Sequence, residues 1–210
     1  GVALIDIITG LYAQNAILAA VISRNNHAEK LGQKIDLNLF DCCVASLANI
    51  GSNYLIGNKE AQRWGTSHAN VVPYQGFKCR DGEFIIIGIG NDRQFGEFCK
   101  LLRIEYLLQD ERFTHNKDRV NNREPLIEIL NEQFLLKTRD EWLEMLSTST
   151  VPNAPINNME QVFNDAHLLQ RGLVKHVQHP IDGEIKIVGL PVEFSRDTQV
   201  SSIRLPPPML

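Results

Sequence analysis

Apolar residues run nearly all round the helical wheel over residues 7–24 (Ile7, Ile8, Leu11, Ala16, Ile17, Leu18, Ala20, Val21), which predicts a long helix buried in a larger core. A polar break over 23–34 follows. Residues 34–39 then alternate, with Ile35, Leu37 and Leu39 on one face, as a short strand would. A second apolar helix is predicted over 40–56, with Gly57 placed to end it. Residues 58–70 are polar and irregular and suit a linker or a site loop. Two strand-like runs, 71–79 and 84–89, flank Arg80-Asp81-Gly82-Glu83, where Asp-Gly tolerates the positive φ of a hairpin turn.

Helices are predicted at 93–103 and 121–136, the latter with Pro125 in its first turn, where a missing N–H costs little. Thr138 and Glu141 form a capping-box pair for a third helix through Leu146. Val151-Pro152-Asn153-Ala154-Pro155 reads as a loop and 158–170 as helix. A second hairpin pairs 173–177 with 184–188 across Asp182-Gly183. The order predicts an α/β protein in which 1–57 belongs to one unit and about 71–165 forms a compact α+β block.

Composition narrows the class. The 210 residues are 43% hydrophobic and 22% charged, as in an ordinary globular chain, which disfavours disorder and a disulfide scaffold. A net charge of −4 without a basic stripe argues against nucleic acid as a partner. The longest uninterrupted apolar run, 16–22, is too short to span a bilayer, so no membrane partner is expected. Cys42, Cys43, Cys79 and Cys99 contain no C-x-x-C pair, so no metal site is expected and a reduced, intracellular chain is the simpler reading. The start at Gly1 and the Pro206-Pro207-Pro208-Met209-Leu210 end read as those of an internal piece of a longer protein.

Three segments could carry chemistry. Asp6 stands among Val2, Ala3, Leu4, Ile5, Ile7 and Ile8 at the start of the first helix. Desolvation there would raise its pKa, and the helix N-terminus would oppose the shift; the outcome is either a poised nucleophile or a plain helix cap. Arg63-Trp64-Gly65-Thr66-Ser67-His68-Ala69-Asn70, running into Val71-Val72-Pro73-Tyr74-Gln75, gathers polar, aromatic and glycine residues ahead of a strand, as ligand-contacting loops do and solvated linkers also can. Gly88-Ile89-Gly90 lacks the third glycine of a dinucleotide fingerprint, because Arg93 occupies that place, so a tight strand-to-helix turn capped by Asn91 or Asp92 is expected.

In their order along the chain these segments resemble the class III CoA-transferases, the formyl-CoA transferase and carnitine CoA-transferase family. The likeness rests on Asp6-Ile7-Ile8-Thr9-Gly10-Leu11, Gly32-Gln33-Lys34-Ile35-Asp36-Leu37, Val71-Val72-Pro73-Tyr74-Gln75-Gly76-Phe77 and Asp81-Gly82. It continues through Gly90-Asn91-Asp92-Arg93-Gln94-Phe95, Val151-Pro152-Asn153-Ala154-Pro155-Ile156-Asn157 and Gly189-Leu190-Pro191-Val192. Where the family often has T-G-x-G-Q, this chain has Glu29-Lys30-Leu31-Gly32-Gln33, with one glycine lost; residues 65–72 stand where formyl-CoA transferase has a tetraglycine loop.

The resemblance implies a Rossmann-like large domain with a smaller α+β domain inserted, in an interlocked homodimer. On that plan 1–57 is a large-domain segment with the catalytic aspartate, 58–70 a linker or site loop, 71–165 the small domain, and 166–210 a hairpin and return linker. It implies Asp6 as the catalytic residue, a CoA thioester as substrate with no permanently bound cofactor, and transfer of CoA from a succinyl-CoA type donor to a glutarate-type dicarboxylate through an aspartyl-CoA thioester. His68, Tyr74 and Arg63 are the donors that the 58–75 region offers such an acid. The implied location is mitochondrial, otherwise cytoplasmic. A racemase of α-methylacyl-CoA with the same fold, or a non-catalytic fragment serving only in dimerisation, are the alternatives.

Overall fold

A computed structural model describes residues 1–196, and the end of the chain, including the proline-rich exit, lies outside the described residues. The chain divides into two compact units, Gly1–Gly65 and residues 66 onward.

The first unit is helical among the described residues. α1 (Leu4–Asn26) matches the predicted long helix. The predicted strand over 34–39 does not form: those residues are irregular up to Asn38, whose side chain accepts from the Asp41 N–H and starts α2 (Leu39–Ala45). Alternation alone gives a strand no partner, and the unit offers none. The predicted second helix is two, α2 and α3 (Ala48–Gly57), bent by 76° where Ala48 takes φ 47°. Asn58 rather than Gly57 supplies the left-handed cap, at φ 50°. Lys30 has φ 51°, at the place where the family pattern has its lost glycine; a side chain in that region costs about 1 kcal/mol that glycine avoids.

α1 contains no buried residue, contrary to the buried core helix expected. Burying a helix that is apolar all round takes partners on every side, and the 65 residues of this unit supply α2 as its packing partner. At 23 residues α1 is also long and apolar enough to cross a membrane, as is common for core helices; counting only uninterrupted apolar runs missed this.

The second unit holds a three-stranded antiparallel sheet in the order β1 (Tyr74–Lys78), β2 (Phe84–Gly88), β3 (Asn153–Ile156). The Asp81-Gly82 turn is as predicted, with Gly82 at φ 86°. β3 falls largely within 151–155, which the sequence reads as a loop. Pro155 pairs with Ile85 at the edge of the sheet, where a strand tolerates a missing N–H.

One face of the sheet buries Phe77, Ile85 and Ile87 against α4 (Asp92–Leu102), α6 (Arg123–Phe134) and α7 (Arg139–Leu146). Phe134 stacks on Phe77 with ring centres 4.6 Å apart and accepts the Trp142 indole N–H at its carbonyl, 3.0 Å. α4 starts at Asn91, whose side chain accepts from the Gln94 N–H, and α7 carries the Thr138–Glu141 capping box. α5 (Asn116–Asn121) precedes α6, and a short 3₁₀ turn, Glu105–Gln109, precedes α5. The helix predicted over 158–170 is two short ones, α8 (Met159–Phe163) and α9 (Ala166–Gln170), and β4 (Val174–His179) pairs with β5 (Gly183–Val188) as the second hairpin. The four cysteines are thiols; burial pushes Cys79 up to about 11 and Cys99 to about 12, so neither is a ready thiolate.

The irregular stretches around 58–70 and 148–155 differ in how firmly the structure holds them. Residues 58–63 are exposed and irregular after α3. Around 150, Thr150 bonds to Glu97 through both its N–H and its hydroxyl, its carbonyl accepts from Gln94, and the Pro152 carbonyl accepts from Gly88. Dilute protease is expected to cut first within 58–64, with fragments read by mass spectrometry; first cuts at 148–155 would contradict this.

Candidate functional site

Asp6 is in the first turn of α1, three residues after the N-cap Ala3. It is exposed, and Leu4 and Ile7 beside it are 58% and 52% exposed. The desolvated setting read from its apolar neighbours is therefore absent within the described residues. Residues adjacent in sequence point away from one another on a helix, and desolvation has to come from a second layer. Arg63 is also exposed and lies in the first unit with Asp6.

His68 and Tyr74 lie in the second unit, and the structure brings them together. Their rings stack with centres 5.5 Å apart and planes 22° apart, and the His68 N–H donates to the Tyr74 carbonyl at 2.9 Å. The Asn70 N–H donates to His68 Nδ1 at 3.1 Å. With Nδ1 accepting, a neutral imidazole carries its proton on Nε2, which makes the ring a donor. Tyr74 lies across from Gly88, where an added Cβ would meet the phenol ring at 3.3 Å, so glycine leaves the ring its place. Upstream, Thr66 Oγ1 accepts from the Gly76 N–H at 3.1 Å and Ser67 Oγ donates to Gln75 at 2.9 Å, laying the loop along β1. A phenol and an imidazole N–H side by side can hold a carboxylate.

The rest of the site was not legible. Arg119 on α5 is fully buried. It donates from Nε to the Val72 carbonyl at 2.8 Å, from Nη1 to the Phe113 carbonyl at 3.1 Å, and from Nη2 to Asp92 Oδ1 at 2.8 Å, and it lies 4.3 Å from the centre of the Phe95 ring. Burial pushes the Asp92 carboxyl up, but hydrogen bonds from Arg119 and His115 outweigh that and hold it below its ordinary value of 3.8. The sequence marked Asp92 as a possible cap and Arg119 not at all; inside the polar run Asn116-Lys117-Asp118-Arg119 it reads as a surface residue. Beside the loop opens a cleft of about 370 Å³ lined by Ser67, Gln75, Arg123, Glu124, Ile127 and Glu128. Its two glutamates repel an anionic acid, and neither His68 nor Tyr74 lines it. Among the described residues no cluster of three metal-binding side chains occurs.

The profile of CoA-transferase family III matches residues 1–210. The chain belongs to that family. The chain is 44% identical over its whole length to the human protein named succinyl-CoA:glutarate CoA-transferase, of which it covers 47%. Over 82% of its length it is 39% identical to a succinate–glutarate CoA-transferase of Agrobacterium fabrum, covering 42% of that protein. A crystal structure of a CaiB/BaiF family protein from Brucella suis matches 93% of the chain and half of that protein, with a TM-score of 0.71 and 41% identity. The chain thus spans about half the length of the curated relatives it matches, and its mixed α/β architecture is that of the family III transferases.

Proposed function

We propose that the whole protein transfers CoA from succinyl-CoA to glutarate or a similar small dicarboxylate. The observation that carries this reading is the 44% identity along the entire chain to a protein named succinyl-CoA:glutarate CoA-transferase, with 39% over 82% of the chain to a second of like name.

In this reading the Asp6 carboxylate attacks the succinyl thioester and expels CoA thiolate, leaving a succinyl–aspartyl anhydride. The thiolate then attacks the aspartyl carbonyl, which frees succinate and forms an aspartyl-CoA thioester. The glutarate carboxylate attacks that thioester and expels the thiolate again, and the thiolate takes the glutaryl group from the second anhydride, restoring Asp6. A carboxylate is a weak nucleophile and needs desolvation and orientation. The exposed setting of Asp6 is then completed by further polypeptide. The greater length of the relatives and the apolar circumference of α1 support this, as they support a homodimer. The small-domain plan for 71–165 and a mitochondrial setting belong to the same reading.

His68 and Tyr74 hold one carboxylate of the acceptor. Arg63, shortly before them in the chain, is a further candidate donor to the substrate. The test follows glutaryl-CoA formation from succinyl-CoA by chromatography, with butyrate as the monocarboxylate control. His68→Ala and Tyr74→Phe are each expected to raise the KM for glutarate roughly tenfold and to narrow its advantage over butyrate. Unchanged glutarate preference in both variants would remove these side chains from acceptor recognition. Exchange of the α-proton of a 2-methylacyl-CoA in D₂O, without CoA transfer, would establish the racemase alternative instead.

A further inference from the structure

Residues 66–73 form a loop, and loop carbonyls need partners from elsewhere in the fold. Here they come from two consecutive helices, α5 and α6. Arg123 Nη2 donates to the carbonyls of both His68 and Ala69, each at 2.9 Å. Asn116 Nδ2 donates to the Asn70 carbonyl at 2.9 Å, while its Oδ1 accepts the Val72 N–H at 3.1 Å. Arg119 Nε takes the Val72 carbonyl at 2.8 Å. Asn116 and Arg119 are one turn apart on α5, and Arg123 opens α6 after the break at Asn122, so side chains of two consecutive helices grip the loop from 68 to 72.

We propose that Asn116, Arg119 and Arg123 are positioning residues, whose grip on the backbone of 68–72 presents His68 and Tyr74 together to the acceptor acid. Their hydrogen bonds to the loop all go to its backbone. The chemistry of the side chains fits the task. One guanidinium nitrogen spans two successive carbonyls, and one carboxamide both donates and accepts, so the chain can meet them in one path only. Arg119 is itself fixed, by Asp92, the Phe113 and Thr114 carbonyls and the Phe95 ring, and Asp92 in turn accepts the Asn116 N–H at 3.0 Å. The loop is thereby tied to the first turn of α4. The inference rests on the acceptor reading above, and it extends that reading from the two rings to the device that aligns them.

The test uses the whole protein with Arg123→Met, which keeps the apolar stem and loses the donors, and Arg123→Lys as the conservative variant. Asn116→Ala serves as a second probe of the grip. Amide hydrogen exchange at 68–72 is expected to speed up by about tenfold in Arg123→Met and Asn116→Ala, while the paired amides of β1 and β2 keep the parent's rates. The KM for glutarate should rise about tenfold, with the KM for succinyl-CoA within about twofold of the parent, and Arg123→Lys should recover most of the loss.

Unchanged exchange at 68–72, or equal acceleration through β1 and β2, overturns the grip. Faster exchange with an unmoved glutarate KM overturns its role in acceptor presentation. His68→Ala measured alongside separates the two readings. If it too leaves the glutarate KM unmoved, acceptor recognition by the loop is refuted and the grip stands alone. If it raises that KM while Arg123→Met does not, the acceptor reading stands and the positioning role falls.

Discussion

Replacing Asp6 with alanine in the whole protein is expected to abolish CoA transfer, with turnover falling by about 10³ or more, because the proposed mechanism has no other group to form the acyl bond. Stability should hardly change. Asp6 is exposed among the described residues, and where further polypeptide covers it, removing the carboxylate also removes the cost of taking its charge out of water. Asp6→Asn keeps the shape and removes the nucleophile, so it should be as inactive as the alanine variant. Initial rates with succinyl-CoA and glutarate, together with a thermal melt, check both halves of the expectation. Transfer within tenfold of the parent would end the assignment of Asp6.

The second large effect is on stability. Arg119→Met is expected to destabilise the second unit by about 3 kcal/mol, because it strands the Val72 and Phe113 carbonyls and one carboxylate without their buried cation. That is the lower end for a broken buried pair, since the Asp92 side chain is 47% exposed and can turn to water. The melting temperature should drop by roughly 10 °C.

The pH dependence follows from the same contacts. The folded state holds the Asp92 pKa down, so this carboxylate's contribution is complete above its ordinary value of 3.8 and is lost as pH falls through the lower folded value. In Arg119→Met that acid-side loss should shrink. Melts of parent and variant from pH 6 down to about 3 would read it as converging curves. An undiminished acid-side loss in the variant would mean that Arg119 is not what holds the Asp92 carboxylate down.

Local signals in the sequence were read correctly where one short stretch decides the outcome. Asp81-Gly82 and Asp182-Gly183 fixed their hairpins, and Thr138 with Glu141 fixed the start of α7. The failures came where a partner distant in sequence decides. Residues 34–39 alternate but have no strand to pair with, whereas Asn153–Ile156 contains a proline and still forms an edge strand because β2 supplies a partner. The polarity of the 66–75 segment and its aromatic ring marked a candidate site. The side chains that hold it lie 44 to 55 positions away, in helices whose polar faces look like solvated surface, so no periodicity could have revealed them. Asp6 shows the converse: its resemblance to the family's aspartate is legible in the motif, while its degree of desolvation depends on neighbours beyond its own helix.

The proposed transfer is covalent: CoA passes through Asp6. Incubating the whole protein with succinyl-CoA and then hydroxylamine should convert an aspartyl-CoA thioester into an aspartyl hydroxamate with release of CoA thiol, and peptide mass spectrometry locates the residue. The hydroxamate is expected on Asp6, present only after exposure to succinyl-CoA and diminished when glutarate is added first. Sustained transfer with Asp6 unmodified, or with the hydroxamate on another carboxylate, would contradict it.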